Sequence, residues 1–264
     1  MNIDLSGKRA VITGSTGGIG YAIAKGLAAA GARVVITGRS KESVDQALDS
    51  LSREVDNASA TGVAADLSSA DGCQTLIERV PEADILINNV GTFEPSGFFD
   101  TDDETWQRFF DTNVMSAVRL SRHYAKGMRE RDWGRVQFIS SESALNIPTE
   151  MVHYGMTKAA LQAVSRGLAK TLSGTRVTVN AILPGPTRSR SVKKMMEDMA
   201  REKGISVEEA ETQFIDENRP SSIIHRVAEP EEVANLCVYV ASEQASATTG
   251  AALRVEGGIV DTMA

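Results

Sequence analysis

The sequence predicts an α/β fold: a parallel sheet of about seven strands with helices on both faces. Three observations carry this expectation. Short apolar runs of 4–7 residues alternate with longer helical patterns along the whole chain. The runs are continuously apolar, as strands buried on both faces must be. Strand–helix alternation also requires crossover connections, and their right-handedness builds a parallel sheet.

The elements follow in order. RAVIT (9–13) is the first candidate strand, and a helical pattern near 18–30 follows it. RVVIT (33–37) precedes a helix near 41–55, ATGVAAD (60–66) one near 69–80, and DILIN (84–88) a long one near 103–131. RVQFIS (135–140) leads to a helix near 154–173, and RVTVNAIL (176–183) leads into an irregular stretch. A helix near 230–241 and the strand ALRVE (252–256) close the chain.

Residues 186–228 contain no strand pattern. Val192, Met195, Met196 and Met199 fall at i, i+3, i+4 and i+7, one face of a helix. Ser206 and Glu209 form a capping-box start for a second helix, and Pro220 lies beyond its end. This predicts a two-helix insertion at about 187–226 over the carboxyl end of the sheet, where such folds bind ligands. Methionine adapts to varied shapes, which suits a mobile substrate lid; a static core filler or an oligomer contact is the alternative.

A length of 264 residues fits one domain, 1–264, with a core large enough to need no metal or disulfide. The hydrophobic share is 42% and the charged share 24%, as in ordinary globular proteins. A net charge of −7 argues against a nucleic-acid partner. Cys73 and Cys237 lie far apart in sequence and outside any Cys/His cluster, so no metal site is expected. With no apolar run of ~18 residues, no membrane span is expected. The N-terminus MNIDLSGKRAVIT lacks a signal pattern, and the expected setting is cytoplasmic.

The first strand runs into TGSTGGIG (13–20), with Gly14, Gly18 and Gly20 spaced G-x-x-x-G-x-G. Glycines let the backbone approach a pyrophosphate, and the helix that follows offers free N–H groups to its charge. Position after a strand and before a helix makes this a Rossmann-like, doubly wound phosphate turn. The second strand ends in Gly38, Arg39, Ser40 and Lys41, with no carboxylate at its tip. A guanidinium there can pair with a 2′-phosphate, with help from Ser40 or Lys41. NADP(H) is therefore preferred, with NAD(H) possible.

Tyr154 and Lys158 are four apart on a helix, hence on one face. An ammonium stabilises phenolate and should lower the tyrosine pKa from its ordinary ~10. A tyrosine so tuned exchanges a proton with a carbonyl or alcohol oxygen. Ser140 and Ser141 end the fifth strand, where a hydroxyl can steady a developing charge.

Together these motifs resemble the short-chain dehydrogenase/reductase family, in its single-domain branch. The residues that carry the resemblance are TGSTGGIG (13–20), Asp66-Leu67, NNVG (88–91), Asn113, FISS (138–141), Y-G-M-T-K (154–158) and PGPT (184–187). It implies Tyr154 as general acid/base, with Lys158 holding the nicotinamide ribose and depressing the tyrosine pKa. Ser141, 13 residues before Tyr154, matches the family serine, and Asn113 the residue that orders a relay water. The implied cofactor contacts are Gly14, Ser15, Thr16, Gly18, Ile19, Gly20, Arg39, Asp66, Leu67, Asn89, Gly91, Tyr154, Lys158, Pro184, Gly185 and Thr187. Asp66 would reach the adenine edge, Asn89 the adenosine ribose, and Pro184–Thr187 the nicotinamide amide. Thr16 stands where many NADP members carry a basic residue, and Glu256 where Asp is usual.

The implied activity is hydride transfer between nicotinamide and a small-molecule ketone or secondary alcohol. Two alternatives stand beside it: a 3-oxoacyl-carrier-protein reductase, using Arg129, Arg131 and Arg135 as a basic docking spot, and a non-catalytic dinucleotide-binding regulator. Apolar residues on more than one face of the helices near 103–131 and 154–173 predict a homodimer or homotetramer.

Overall fold

Along the first strand, β1 (Arg9–Ile12), Ala10 and Ile12 enter one apolar layer and Val11 the opposite one. Successive side chains of a strand point to opposite faces, so a strand covered on both sides has no polar face. In the computed structural model, which describes residues 2–263, six more strands join it. They are β2 (Arg33–Gly38), β3 (Ala60–Ala64), β4 (Ile85–Asn88), β5 (Gly134–Ile139), β6 (Val177–Pro184) and β7 (Ala252–Val255). All pairings are parallel, in the order β3-β2-β1-β4-β5-β6-β7.

The helices are α1 (Gly18–Ala29), α2 (Lys41–Glu54), α3 (Ala70–Arg79), α4 (Asp103–Phe109), α5 (Ser116–Glu130), α6 (Val152–Thr171), α7 (Arg190–Lys203), α8 (Val207–Asn218) and α9 (Pro230–Ala241). Ile23, Leu27, Leu51, Val233 and Cys237 bring α1, α2 and α9 onto the face of Ile12. Cys73, Leu76, Leu120, Tyr124 and Leu161 bring α3, α5 and α6 onto the face of Val11. A buried leucine such as Leu27 contributes about 1.5–3 kcal/mol through the area it removes from water.

Helix starts follow the side chains that satisfy their free N–H groups. Ser40, Ser69 and Asp102 accept from Ser43, Gly72 and Thr105. The Ser206–Glu209 capping box opens α8 as the spacing predicts, and Gly204, at φ 67°, ends α7. α1 differs: Gly17 provides no side-chain cap, and no acid lies in the first turn.

The region 103–131 is not one helix. A π-helical turn, Phe110–Met115, separates α4 from α5. Asn113 lies in it, fully buried, donating from Nδ2 to the Thr92 carbonyl and Thr157 Oγ1 (both 3.0 Å) and accepting at Oδ1 from Thr92 N–H (2.8 Å). A side chain bonded to three outside groups competes with regular helical geometry, and π turns occur where such a residue is turned inward.

β1 and β4 are neighbours, yet the chain leaves them toward opposite sheet faces. This switch in direction opens a crevice at the carboxyl end of the sheet. α7 and α8 pack against each other beside the crevice, as the two-helix reading expects.

Candidate active site

The glycine turn is built by exclusion. A Cβ on Gly20 would lie 2.4 Å from the Gly14 carbonyl oxygen and 2.5 Å from Asn89 Nδ2, so only glycine fits. Gly14 (φ 63°) and Gly18 (φ 55°) occupy the left-handed region. Asn89 donates from Nδ2 to the carbonyls of Thr13 (2.9 Å) and Gly14 (3.1 Å). Its Nδ2 therefore holds the turn in place, while the residue lines both cavities described below. The Ser15 side chain is occupied in the same way. Its fully buried hydroxyl donates to the Ile12 carbonyl (2.8 Å) and accepts from Thr37 N–H (2.9 Å), tying β1 to β2.

Two adjoining cavities share Asn89, Gly91 and Thr92. The first, about 420 Å³, is lined by Gly14, Thr16, Arg39, Asp66 and Leu67. Arg39 is exposed and makes no hydrogen bond or ion pair among the described residues, so its guanidinium is available. The expected help beside it is absent. Ser40 is spent on capping α2, and Lys41 pairs with Asp45. Leu67 is 3% exposed and can offer this cavity little beyond its main chain. Arg108, paired with Glu94 at 3.1 Å, also lines the cavity and was not foreseen from the sequence.

The second cavity, about 510 Å³, brings together Ile19, Ser141, Tyr154, Lys158, Pro184, Gly185 and Thr187. Ser141 lies just past β5, and Tyr154 and Lys158 are one turn apart on α6. Lys158 Nζ is buried and donates to the Ile139 carbonyl at 2.9 Å. A Cβ on Gly91 would come within 3.3 Å of that ammonium and 3.5 Å of Asn113 Oδ1, so Gly91 keeps the approach open.

The direction of the tyrosine shift corrects the sequence reading. Burial pushes the Tyr154 phenol up to about 12, and the neighbouring Ser141 hydroxyl only partly offsets this. Burial also pulls Lys158 down to about 8. Without a ligand, burial of the phenol outweighs the hydrogen bond from Ser141, and the Lys158 ammonium is held against a main-chain oxygen.

Further residues line this cavity without having been foreseen. Glu142 follows Ser141 directly and is 3% exposed at its side chain; its Oε1 accepts from Arg219 Nε at 2.6 Å. The signal available in sequence was the run Ser140-Ser141-Glu142 after an apolar strand, three polar residues where the sheet ends. Val192, Met195, Met196 and Met199 line the opposite wall, as the helical spacing suggested.

The basic spot read from Arg129, Arg131 and Arg135 is not assembled as expected. Arg135 belongs to no docking spot: it is 1% exposed, donates to the carbonyls of Gly134, Ser242 and Arg176, and lies over the Trp133 ring. Arg131 is turned toward Ala83 and Asp84. Glu256 is a structural residue, accepting from Ile259 and Val260 N–H near the C-terminus. Among the described residues no acid, histidine and cysteine cluster could hold a metal. No helix among the described residues is long and apolar enough to cross a membrane.

Residues 14–260 match a family model described as enoyl-(acyl carrier protein) reductase. An uncharacterized oxidoreductase of Bacillus subtilis (strain 168), YvaG, is 46% identical over 260 residues, 98% of each chain. The D-beta-hydroxybutyrate dehydrogenase of Cupriavidus necator is 32% identical over 97% of this chain and 99% of its own. L-sorbose reductase from Gluconobacter frateurii, solved in complex with NADPH and L-sorbose, superposes with a TM-score of 0.94 at 35% identity, both chains covered in full. The chain belongs to the short-chain dehydrogenase/reductase family and is an oxidoreductase that moves hydride between a nicotinamide and a ketone or secondary alcohol, with tyrosine as acid/base.

Proposed function

We propose that this enzyme prefers NADP(H) and interconverts a small ketone and its secondary alcohol through Tyr154, Ser141 and Lys158. The observation that carries the reading is their convergence on one cavity that adjoins the groove of Arg39 and the glycine turn. The turn itself fits a dinucleotide. The first turn of α1 has neither side-chain cap nor acid, leaving its N–H groups to an anion, and Gly20 leaves room where any side chain would intrude.

When bound, the nicotinamide supplies or accepts the hydride at the carbonyl carbon. The chain's own groups do the rest. In reduction the Tyr154 O–H bond breaks as the alcohol O–H forms, and Ser141 donates to the same oxygen as charge develops there. Lys158 would hold the ribose of the bound cofactor and stabilise the phenolate left on Tyr154. Asn113 keeps Thr92 and Thr157 in place around that ammonium; by family resemblance it also orders a relay water. Ile19, Pro184, Gly185 and Thr187 would bound the nicotinamide end and Asp66 the adenine end, in keeping with the two cavities they line.

Burial of Arg135 weakens the basic spot but leaves Arg129 and Arg131 exposed, so a carrier-bound 3-oxoacyl substrate stands as the second reading beside a free small molecule. The α7–α8 pair, residues 187–226, is the substrate lid of a single domain. Val164 and Leu168 pack against the core yet stay partly exposed beside exposed Ala163, in keeping with a homodimer or homotetramer built through α6. Two free, buried thiols, Cys73 and Cys237, suit a reducing, cytoplasmic setting. The test is oxidation of NADPH over a panel of ketones: turnover of at least one is expected, and cofactor binding without turnover of any would overturn the reading.

A further inference from the structure

A buried ion pair forms one end of the substrate cavity, and the proton transfer described above has no use for it. Glu142 Oε1 accepts from Arg219 Nε at 2.6 Å; the side chains are 3% and 9% exposed. Arg219 Nη1 donates to the Asn218 carbonyl at 2.7 Å and lies 3.9 Å from Glu150. Its Nη2 has no hydrogen-bond partner among the described residues, although Arg219 lines the cavity. Glu142 Oε2 accepts at 3.4 Å from Ser141 Oγ, the hydroxyl proposed above to donate to the reacting oxygen. The cavity thus presents an unused donor and an underused acceptor immediately beside the place where chemistry occurs.

The balance of charge at this end selects among ligands. Glu142 and Glu150 face a single guanidinium, and Glu142 already matches it. A carboxylate held at this end would meet a surplus of negative charge, since its one guanidinium is already matched by Glu142. A hydroxyl meets both needs: its proton goes to Glu142 Oε2 and its lone pair accepts from Arg219 Nη2. On the carbon next to the carbonyl it would sit one hydrogen-bond length from the carbonyl oxygen, matching the short step from Ser141 to Glu142.

We propose that Glu142 and Arg219 form a hydroxyl-reading subsite, and that the preferred substrates are uncharged ketones bearing a hydroxyl beside the carbonyl. The inference rests on the ketone-reducing function proposed above. A site built to bond a hydroxyl rejects analogues that lack it, because its polar groups are then left without partners. Arg219 lies just past α8, so the subsite also ties the end of the lid to the strand that carries Ser141.

The test compares kcat/KM with NADPH for hydroxyacetone, methoxyacetone, butanone and acetoacetate. Methoxyacetone keeps the electron withdrawal but lacks the proton, butanone matches the size, and acetoacetate adds the negative charge. Hydroxyacetone should exceed each of the others by at least ~30-fold. In Glu142→Gln and Arg219→Lys that preference should shrink to within about threefold. If either variant fails to fold, the wild-type preferences still decide. Equal efficiency on hydroxyacetone and methoxyacetone, or a preference for acetoacetate, would overturn this inference alone. Folded variants that keep the full preference would overturn the assignment to Glu142 and Arg219. Turnover of no ketone would overturn it together with the proposed function.

Discussion

Lys158 Nζ donates to the main-chain oxygen of Ile139 at 2.9 Å, and this is its one hydrogen bond to the described residues. An ammonium has three donors, so two remain for ligands on the cavity side. The unliganded site is held at a cost in stability, because the charged lysine is buried with one neutral acceptor.

That cost has a pH signature. Burial lowers Lys158 from 10.5 to about 8, so between those values the unfolded chain holds a proton that the folded chain has released. Stability contributed at this site therefore rises with pH across the window, and the full penalty, on the order of 3 kcal/mol, applies below it. Lys158→Met has no such penalty. Denaturant unfolding should find the variant's stability relative to wild type greatest near pH 7 and declining by pH 10. A difference independent of pH would contradict the assignment.

Arg39 should select the cofactor. One or two charge-assisted contacts to a 2′-phosphate contribute about 1.5–3 kcal/mol each, or roughly tenfold or more in affinity. Titration should show tighter binding of NADPH than of NADH, and Arg39→Asp should reverse the order. Equal affinities in the unaltered protein would refute the role.

The α7–α8 pair should close over substrate. Met196 is fully buried, so truncating it would cost about 2–5 kcal/mol and confuse specificity with stability. Met195 and Met199 are half-buried and line the cavity, which makes them the sounder probes. Met195→Ala with Met199→Ala should shift the kcat/KM ratio between bulky and small ketones. Amide exchange over 190–218 should be fast in the free protein and slow with NADPH and substrate. Exchange already as slow as in β4 and β5 would mark a static wall.

The strands were legible because a doubly covered sheet leaves uninterrupted apolar runs. Tyr154 and Lys158 were legible as a pair because they lie one helix turn apart; Ser140 and Ser141 were both legible at the strand end, and only the family resemblance singled out Ser141. Other features lie beyond local spacing. The π turn at Phe110–Met115 reflects bonds from Asn113 to Thr92 and Thr157, 21 and 44 positions away. Glu142 and Arg219 meet across 77 positions, a pairing created only when the end of α8 packs near the end of β5. Arg135 read as a surface charge because its acceptors, Arg176 and Ser242 among them, come from distant segments. The sign of the Tyr154 shift was misjudged for a related reason: spacing shows the nearby ammonium but not how much water both groups lose.

The central claim is that Tyr154 carries the proton. Its most direct test is a single-turnover experiment with Tyr154→Phe, enzyme in excess over a ketone that the unaltered protein reduces. NADPH should bind the variant with a Kd within about threefold of the parent, because the phenol acts on the substrate oxygen. Alcohol formation should be slower by about 10²–10⁴-fold, the usual contribution of a positioned acid. Alcohol formed by the variant at close to the parent's rate, with NADPH bound equally well, would show that another group supplies the proton and would contradict the account.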